Sequence, residues 1–126
     1  MATKTEGKHT GEFIVSEANG MRSRDKVTVT VPASTTFEPG TVLGQVAADS
    51  KFVQYDDAET DGREDAAAVL YDELVNAEVS AADIEATVII RDAEVRDADL
   101  VFATGTSAQD KLDAAADLKA IGIIVR

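Results

Sequence analysis

Alternating apolar and polar residues predict that most of the chain forms short strands. Val27, Val29 and Val31 alternate with threonines, and a period of two places these valines on one face of a strand. A type II turn is predicted at Pro39-Gly40. Further strands are predicted at Thr41–Val46, Phe52–Tyr55, Ala67–Tyr71, Ala86–Val95 and Ala120–Val125. The Ala67–Tyr71 segment also fits a helix by periodicity, and the preceding Asp61-Gly62 turn favours the strand.

One segment, residues 107–118, has the period of a helix. Ser107 is placed to cap its first turn, with Asp110 three residues further on as a variant of the capping box. Its predicted apolar face consists of Ala108, Leu112, Ala115 and Leu118. The predicted solvated face carries Asp110, Asp113 and Asp117. The pattern therefore predicts a mainly β protein with one short C-terminal helix, in a small domain resembling a β-barrel or β-sandwich.

The N-terminal part does not fit this pattern. Residues 1–12 contain no large apolar residue after Met1, which is typical of a flexible tail. An apolar triplet, Phe13-Ile14-Val15, follows without an obvious strand partner, and an Asn19-Gly20 turn comes next. The sequence therefore predicts an extended N-terminal arm over residues 1–25 and a single domain over residues 26–126. The alternative is an ordinary first strand of the protein's own sheet.

Composition and charge exclude several function classes. The net charge is −12, but residues 1–26 carry five basic and four acidic side chains, so the remaining chain carries −13. Such a body is a poor partner for nucleic acid, because phosphate contacts need clustered Lys and Arg. The sequence contains no cysteine, which rules out disulfides and thiolate chemistry. No apolar run approaches the length of a membrane span, so no membrane partner is expected.

Candidate chemistry is sparse, and we expect no catalytic residue, cofactor or metal. The one histidine, His9, lies in the tail and has no catalytic partner in the pattern. Residues 57–62, DAETDG, place oxygen ligands as a calcium loop does, but its twelfth position is Ala68 instead of glutamate. A solvated acidic turn is the simpler interpretation. A carboxylate pair of the glycosidase type stays open, although the chain has no Trp to bind a sugar.

Four segments in order, GEFIVSEANGMRSRDKVTV, EPGTVLGQV, FVQYDDAETDGREDAAAVLYD and ATVIIRDAEV, resemble the lambda-type head decoration protein family of tailed bacteriophages. The resemblance runs from about Gly11 to Arg126, and the ending from ADLVFATG to AIGIIVR is also similar. No single segment is specific, and the ordered set carries the resemblance.

The resemblance implies a homotrimer, without small-molecule substrate, on the outer surface of the virion. Made in the host cytoplasm, it would stabilise the expanded head at three-fold and quasi-three-fold positions, and its arm would add a strand to the major capsid protein. The residues expected to form this capsid-binding arm are Glu12, Phe13, Ile14, Val15, Ser16, Glu17, Asn19, Gly20, Arg22 and Arg24. In an extended arm, Phe13 and Val15 would point one way and Ile14 the other. The alternatives are another phage structural module, such as a fibre base or tail component, and a small carboxylate-pair hydrolase.

Overall fold

A computed structural model describes residues 5–126, so the first four residues of the predicted tail lie outside the described part. The described chain is mainly β with one α-helix, as predicted. Its strands are β1 Ile14–Glu17, β2 Arg24–Val31, β3 Thr35–Phe37, β4 Val42–Gln45, β5 Phe52–Gln54, β6 Ala66–Leu70, β7 Leu74–Asn76, β8 Ala82–Ile89, β9 Ala93–Val95 and β10 Ile123–Val125. A single 3-10 turn covers Asp97–Asp99, and the helix α1 covers Ala108–Ala120.

Five strands close into a barrel in the order β2-β5-β4-β6-β8. The long β2 and β8 pair antiparallel from Arg24 opposite Ile89 to Val31 opposite Ala82. Strands β3 and β7 form a separate two-stranded sheet, and β1, β9 and β10 form a three-stranded one. None of the helices within residues 5–126 is both long and apolar enough to cross a bilayer.

The barrel strands supply two cores because their alternate side chains point to opposite faces. In β8, Val88 packs inside the barrel, whereas Ile89 packs outside it against α1 and the three-stranded sheet. Strand β6 does the same with Ala68 and Val69. A strand buried on both faces has no polar alternation, which is why periodicity alone left the β6 segment open between strand and helix.

The predicted turn and helix cap are confirmed. Gly40 has a φ of 95°, and the Thr41 N–H donates to the Glu38 carbonyl at 3.2 Å, as in a type II turn. A Cβ at Gly40 would lie 2.5 Å from the Asp99 carbonyl oxygen, so only glycine fits. At the helix start, the Asp110 N–H donates to Ser107 Oγ at 3.1 Å.

Two details of the predicted elements are wrong. The segment 86–95 is not one strand, because Asp92 adopts a φ of 50° and the chain turns from the barrel into the three-stranded sheet. The buried face of the helix also overlaps only in part with the predicted one, which it shares at Leu118. Ala114 and Leu118 are fully buried, whereas Leu112 is 65% exposed.

The N-terminal segment is part of the fold from Phe13 onward, ahead of the predicted boundary at residue 25. The Phe13 side chain is 0% exposed and belongs to the core between the barrel and α1. Strand β1 pairs antiparallel with β9, from Ile14 opposite Val95 to Glu17 opposite Ala93. The expectation that this segment lacks a partner within its own chain is therefore wrong. Its partner β9 lies far along the sequence, where no local pattern shows it.

Replacing Phe13 tests whether this segment contributes to stability. We expect Phe13→Ala to lower the free energy of unfolding by about 3 to 5 kcal/mol, because the change leaves a cavity in the core. The neighbouring Val15→Ala is the matched control, with an expected change within about 0.5 kcal/mol for an exposed side chain. Urea unfolding measures both variants. Equal stability of Phe13→Ala and the unchanged protein would show that the segment is a free arm.

Candidate functional site

The residues just before β1 lie along the surface of the domain. The Gly11 N–H donates to the Tyr71 carbonyl at 3.2 Å, and the Thr10 hydroxyl donates to Asp72 at 2.6 Å. Lys8 Nζ lies 3.4 Å from the Asp99 carbonyl. These contacts hold the chain next to the end of β6 before it enters β1. The predicted site residue Glu12 is exposed there.

Strand β1 is an edge strand. In the order β1-β9-β10 it has β9 on one side, and no other strand within residues 5–126 pairs with it. Its side chains separate by face, since Ile14 packs against the core while Val15 is 46% exposed. Phe13, which precedes β1, is buried and Val15 is exposed, so the two do not share a face. A bulge also interrupts the register with β9 between Ile14 and Ser16. The structure thus presents an unpaired backbone edge next to an exposed apolar side chain.

The end of β1 is joined to the start of β2 by a cluster of polar side chains. Ser23, which is fully buried, donates through its hydroxyl to Glu17 Oε2 at 2.5 Å. Arg24 Nε donates to the same oxygen at 3.1 Å, and Arg24 Nη2 donates to Oε1. The Arg24 guanidinium also lies 4.1 Å from the centroid of the Tyr71 ring. The hydrogen bond from Arg24 lowers the pKa of Glu17 below its usual value.

Both arginines of the predicted arm pair with carboxylates of their own chain. Arg24 binds Glu17, and Arg22 Nε lies 2.9 Å from Asp92 Oδ2. The Arg22 pair is largely exposed, whereas the Arg24 pair is mostly buried. The structure therefore gives Arg24 a role within the fold. The predicted contacts of both arginines with a capsid stay a prediction.

The remaining predicted residues, Asn19 and Gly20, lie in the exposed connection between β1 and β2. The connection is fixed at its start, where the Ala18 N–H donates to the Asp92 carbonyl at 3.0 Å. The ten predicted residues thus lie within residues 12–24. This segment leads from the surface to the buried Phe13, along the edge strand β1, and then to the start of the barrel strand β2.

A second group of residues, which no sequence spacing predicts, consists of Asp57 and two carboxylates in the first turns of α1, Asp110 and Asp113. One oxygen each from Asp57, Asp110 and Asp113 lies within 4.8 Å of the others. The Tyr55 hydroxyl, which donates to the Asp110 carbonyl at 3.1 Å, lies next to them. Asp57 and Asp110 are too far apart in sequence for spacing to reveal the group. Exposed acidic groups of this kind are common without a bound ion.

The calcium-loop alternative is not supported by the loop geometry. Asp61 is bound by the Arg63 guanidinium at 2.8 Å, while Asp57 faces the helix instead of Asp61. The loop therefore does not gather its alternate carboxylates around one point, as a calcium loop does.

Asp117 is not a solvated residue, contrary to the prediction. Its Oδ2 accepts a hydrogen bond from the Ala66 N–H at 3.0 Å and so satisfies the first backbone donor of β6. Burial raises the pKa of Asp117, and the charges of Asp65 and Asp113 add to this effect.

Comparison with protein-family models matches residues 3–123, nearly the whole chain, to the family described as bacteriophage lambda head decoration protein D. A search among curated proteins finds no match.

The pH dependence of stability tests the electrostatics of the cluster formed by Asp57, Asp110 and Asp113. Desolvation by neighbouring atoms and then the charge of Asp110 raise the pKa of Asp57, so Asp57 binds its proton more tightly in the folded state. Protonated Asp57 therefore stabilises the folded state when the pH is below the pKa of Asp57 in the unfolded chain. This stabilisation is lost as the pH rises through the pKa of Asp57 in the folded protein. We therefore expect Asp57→Asn to raise Tm at neutral pH, with a difference from the unchanged protein that shrinks in mild acid.

Thermal unfolding across this pH range checks the expectation, and Glu38→Gln serves as the matched control. Glu38 is exposed, and its side chain makes no hydrogen bond within residues 5–126. A Tm for Asp57→Asn that equals that of Glu38→Gln at every pH would contradict the electrostatic account.

Proposed function

The chain belongs to the bacteriophage lambda head decoration protein D family, and we propose that it binds as a homotrimer to the outer surface of the expanded head. There, at three-fold and quasi-three-fold positions, it holds neighbouring subunits of the major capsid protein together. The family match over residues 3–123 carries this proposal. It favours a structural head protein over a hydrolase, and a head component over a fibre base or tail module.

We further propose that a strand of the major capsid protein pairs with the free edge of β1. An edge strand offers unpaired N–H and C=O groups, and a strand from another protein satisfies them while its side chains fill neighbouring sites. Within the described chain, β1 has such an edge. Val15 and Ser16 are exposed in β1 and Glu12 is exposed just before it, so all three can contact the added strand, whereas Phe13 contacts the protein's own core.

The pairing of β1 with β9 lowers the conformational entropy lost when the capsid strand binds. Fixing the backbone of a free segment costs about 1 to 2 kcal/mol for each residue. The pairing of β1 with β9 and the burial of Phe13 order this segment when the domain folds. Binding therefore starts from an edge that is already formed. Three such edges in one trimer reinforce each other, because the first contact holds the others at high effective concentration.

Exposed apolar side chains support the proposed trimer. Away from β1 and its connection to β2, the domain leaves several large ones in contact with solvent, among them Val75, Leu112, Ile121 and Ile124. A subunit interface buries such surface, and a stable one covers roughly 800 Å² on each partner.

The subunit count follows from sedimentation equilibrium of the purified protein. We expect a species with three times the 13.3 kDa mass of the chain, because the family resemblance implies a trimer and the exposed apolar side chains need cover. A monomer at every concentration examined would contradict the trimer in free solution.

The proposed edge is tested by changing Val15 rather than by deleting residues 1–20. Such a deletion also removes Phe13 and β1, and the loss of fold would be mistaken for a loss of binding. We expect Val15→Asp to bind expanded heads at least about tenfold more weakly with an unchanged Tm, because a charge buried without a partner is costly. Cosedimentation with heads measures the binding.

Val79→Asp is the matched control. Val79 is 95% exposed and lies outside the three-stranded sheet, after β7. We expect this variant to decorate heads like the unchanged protein. Normal decoration by Val15→Asp would contradict binding at the β1 edge, and an equal loss in both variants would show that added charge acts without regard to position.

A further inference from the structure

The connection between β1 and β2 has a short tip that is exposed while both of its ends are fixed. Ala18 is held by its hydrogen bond to the Asp92 carbonyl, and Ser23 is fully buried. Between them, Asn19 and Gly20 are exposed, and Met21 is 68% exposed. Within residues 5–126, no hydrogen bond engages the Asn19 side chain or the Gly20 N–H. The tip therefore combines a free carboxamide with a free neighbouring backbone nitrogen.

We propose that Asn19 is a site of spontaneous deamidation. The Gly20 backbone nitrogen, after losing its proton to solvent, attacks Asn19 Cγ, and a new C–N bond closes a five-membered succinimide. The carboxamide nitrogen leaves as ammonia. Water then opens either carbonyl of the ring, which yields aspartate or isoaspartate at position 19. The atoms balance with water as the one co-reactant, and no oxidant or reductant takes part.

Gly20 is suited to this reaction for two reasons. It has no Cβ to hinder the approach of its nitrogen, and its φ of 69° is a conformation that glycine adopts without strain. In addition, no atom outside the adjacent residues lies within 4 Å of the point where a Cβ would stand. The ring can therefore form without displacing any packed group.

The other asparagine, Asn76, is protected by contrast. It is 3% exposed, and its Nδ2 donates to the carbonyls of Val31, Pro32 and Ser80 at 2.9 to 3.0 Å. Its Oδ1 accepts from the Glu78 N–H at 3.0 Å. The carboxamide is thus held on both sides in the folded protein, and a residue with a Cβ, Ala77, follows it.

The Asp61-Gly62 pair, which could form the same ring by loss of water, is also held. The Gly62 N–H donates to Glu64 Oε2 at 2.7 Å, so the attacking nitrogen is occupied. The Arg63 guanidinium binds the Asp61 carboxylate at 2.8 Å. Asn19 is therefore the reactive position among the three.

Deamidation alters the connection between β1 and β2. The net charge changes from −12 to −13, and the new carboxylate stands in the connection that holds the Arg22–Asp92 pair. The isoaspartyl product also adds one methylene to the backbone immediately after Ala18, which ties the end of β1 to Asp92. The reaction is thus a slow chemical change at the root of the edge strand, and its chemistry does not depend on the proposed function.

Peptide mapping of the full chain, incubated folded at mildly alkaline pH, tests the proposal. Trypsin cleaves after Lys8, Arg22, Arg63 and Arg91, so Asn19 and Asn76 fall in separate peptides, residues 9–22 and 64–91. Mass spectrometry measures the conversion of amide to acid in each peptide, and isoaspartyl methyltransferase labelling detects isoaspartate. Incubation of the same chain in urea gives the rate of conversion in the unfolded state.

We expect the 9–22 peptide of the folded protein to convert at a rate close to that in urea, while the 64–91 peptide stays unmodified until the protein is unfolded. Asn19→Gln should remove the conversion and the label from the 9–22 peptide. Conversion of Asn19 in urea but not in the folded chain would overturn the proposal, because the tip would then be protective. Equal conversion of both peptides in the folded protein would also overturn it.

Discussion

The burial of Phe13 is the contact on which the presentation of the sheet edge depends. Its side chain fills the core between the barrel and α1, and β1 follows from it directly onto β9. The first strand is thereby fixed by an apolar anchor at one end and by the bonds of Glu17 with Ser23 and Arg24 at the other. Because both ends are held by the domain itself, the outer edge of β1 keeps a defined position relative to the barrel.

Charge contributes little to the proposed recognition at β1. The chain carries a net charge of −12, and the two arginines of the N-terminal segment already bind Glu17 and Asp92. No free cluster of basic residues is therefore needed for docking at β1. An edge strand recognises another strand through backbone hydrogen bonds, with specificity from alternate side chains such as Val15. This mode suits an acidic protein of a head decoration family.

The sequence was sufficient where the signal is local. The valines of β2, the Pro39-Gly40 turn and the Ser107 cap each follow from a few neighbouring residues, and the structure confirms them. It was insufficient where the partner is distant, because the pairing of β1 with β9 joins segments about eighty residues apart. The same limit applies to the approach of Asp57 to α1. The rotated face of α1 has another cause, since alanines such as Ala114 and Ala115 give a weak apolar pattern that does not specify which side is buried.

Docking at the β1 edge is measured most directly by a cryo-electron microscopy reconstruction of heads carrying this protein, at a resolution that traces strands. We expect residues 14–17 to remain paired with β9, Phe13 to stay in its own core, and a strand of the major capsid protein to lie along the outer edge of β1. Density showing residues 12–17 detached from β9 and extended across the capsid protein would contradict this expectation, as would a β1 edge exposed to solvent.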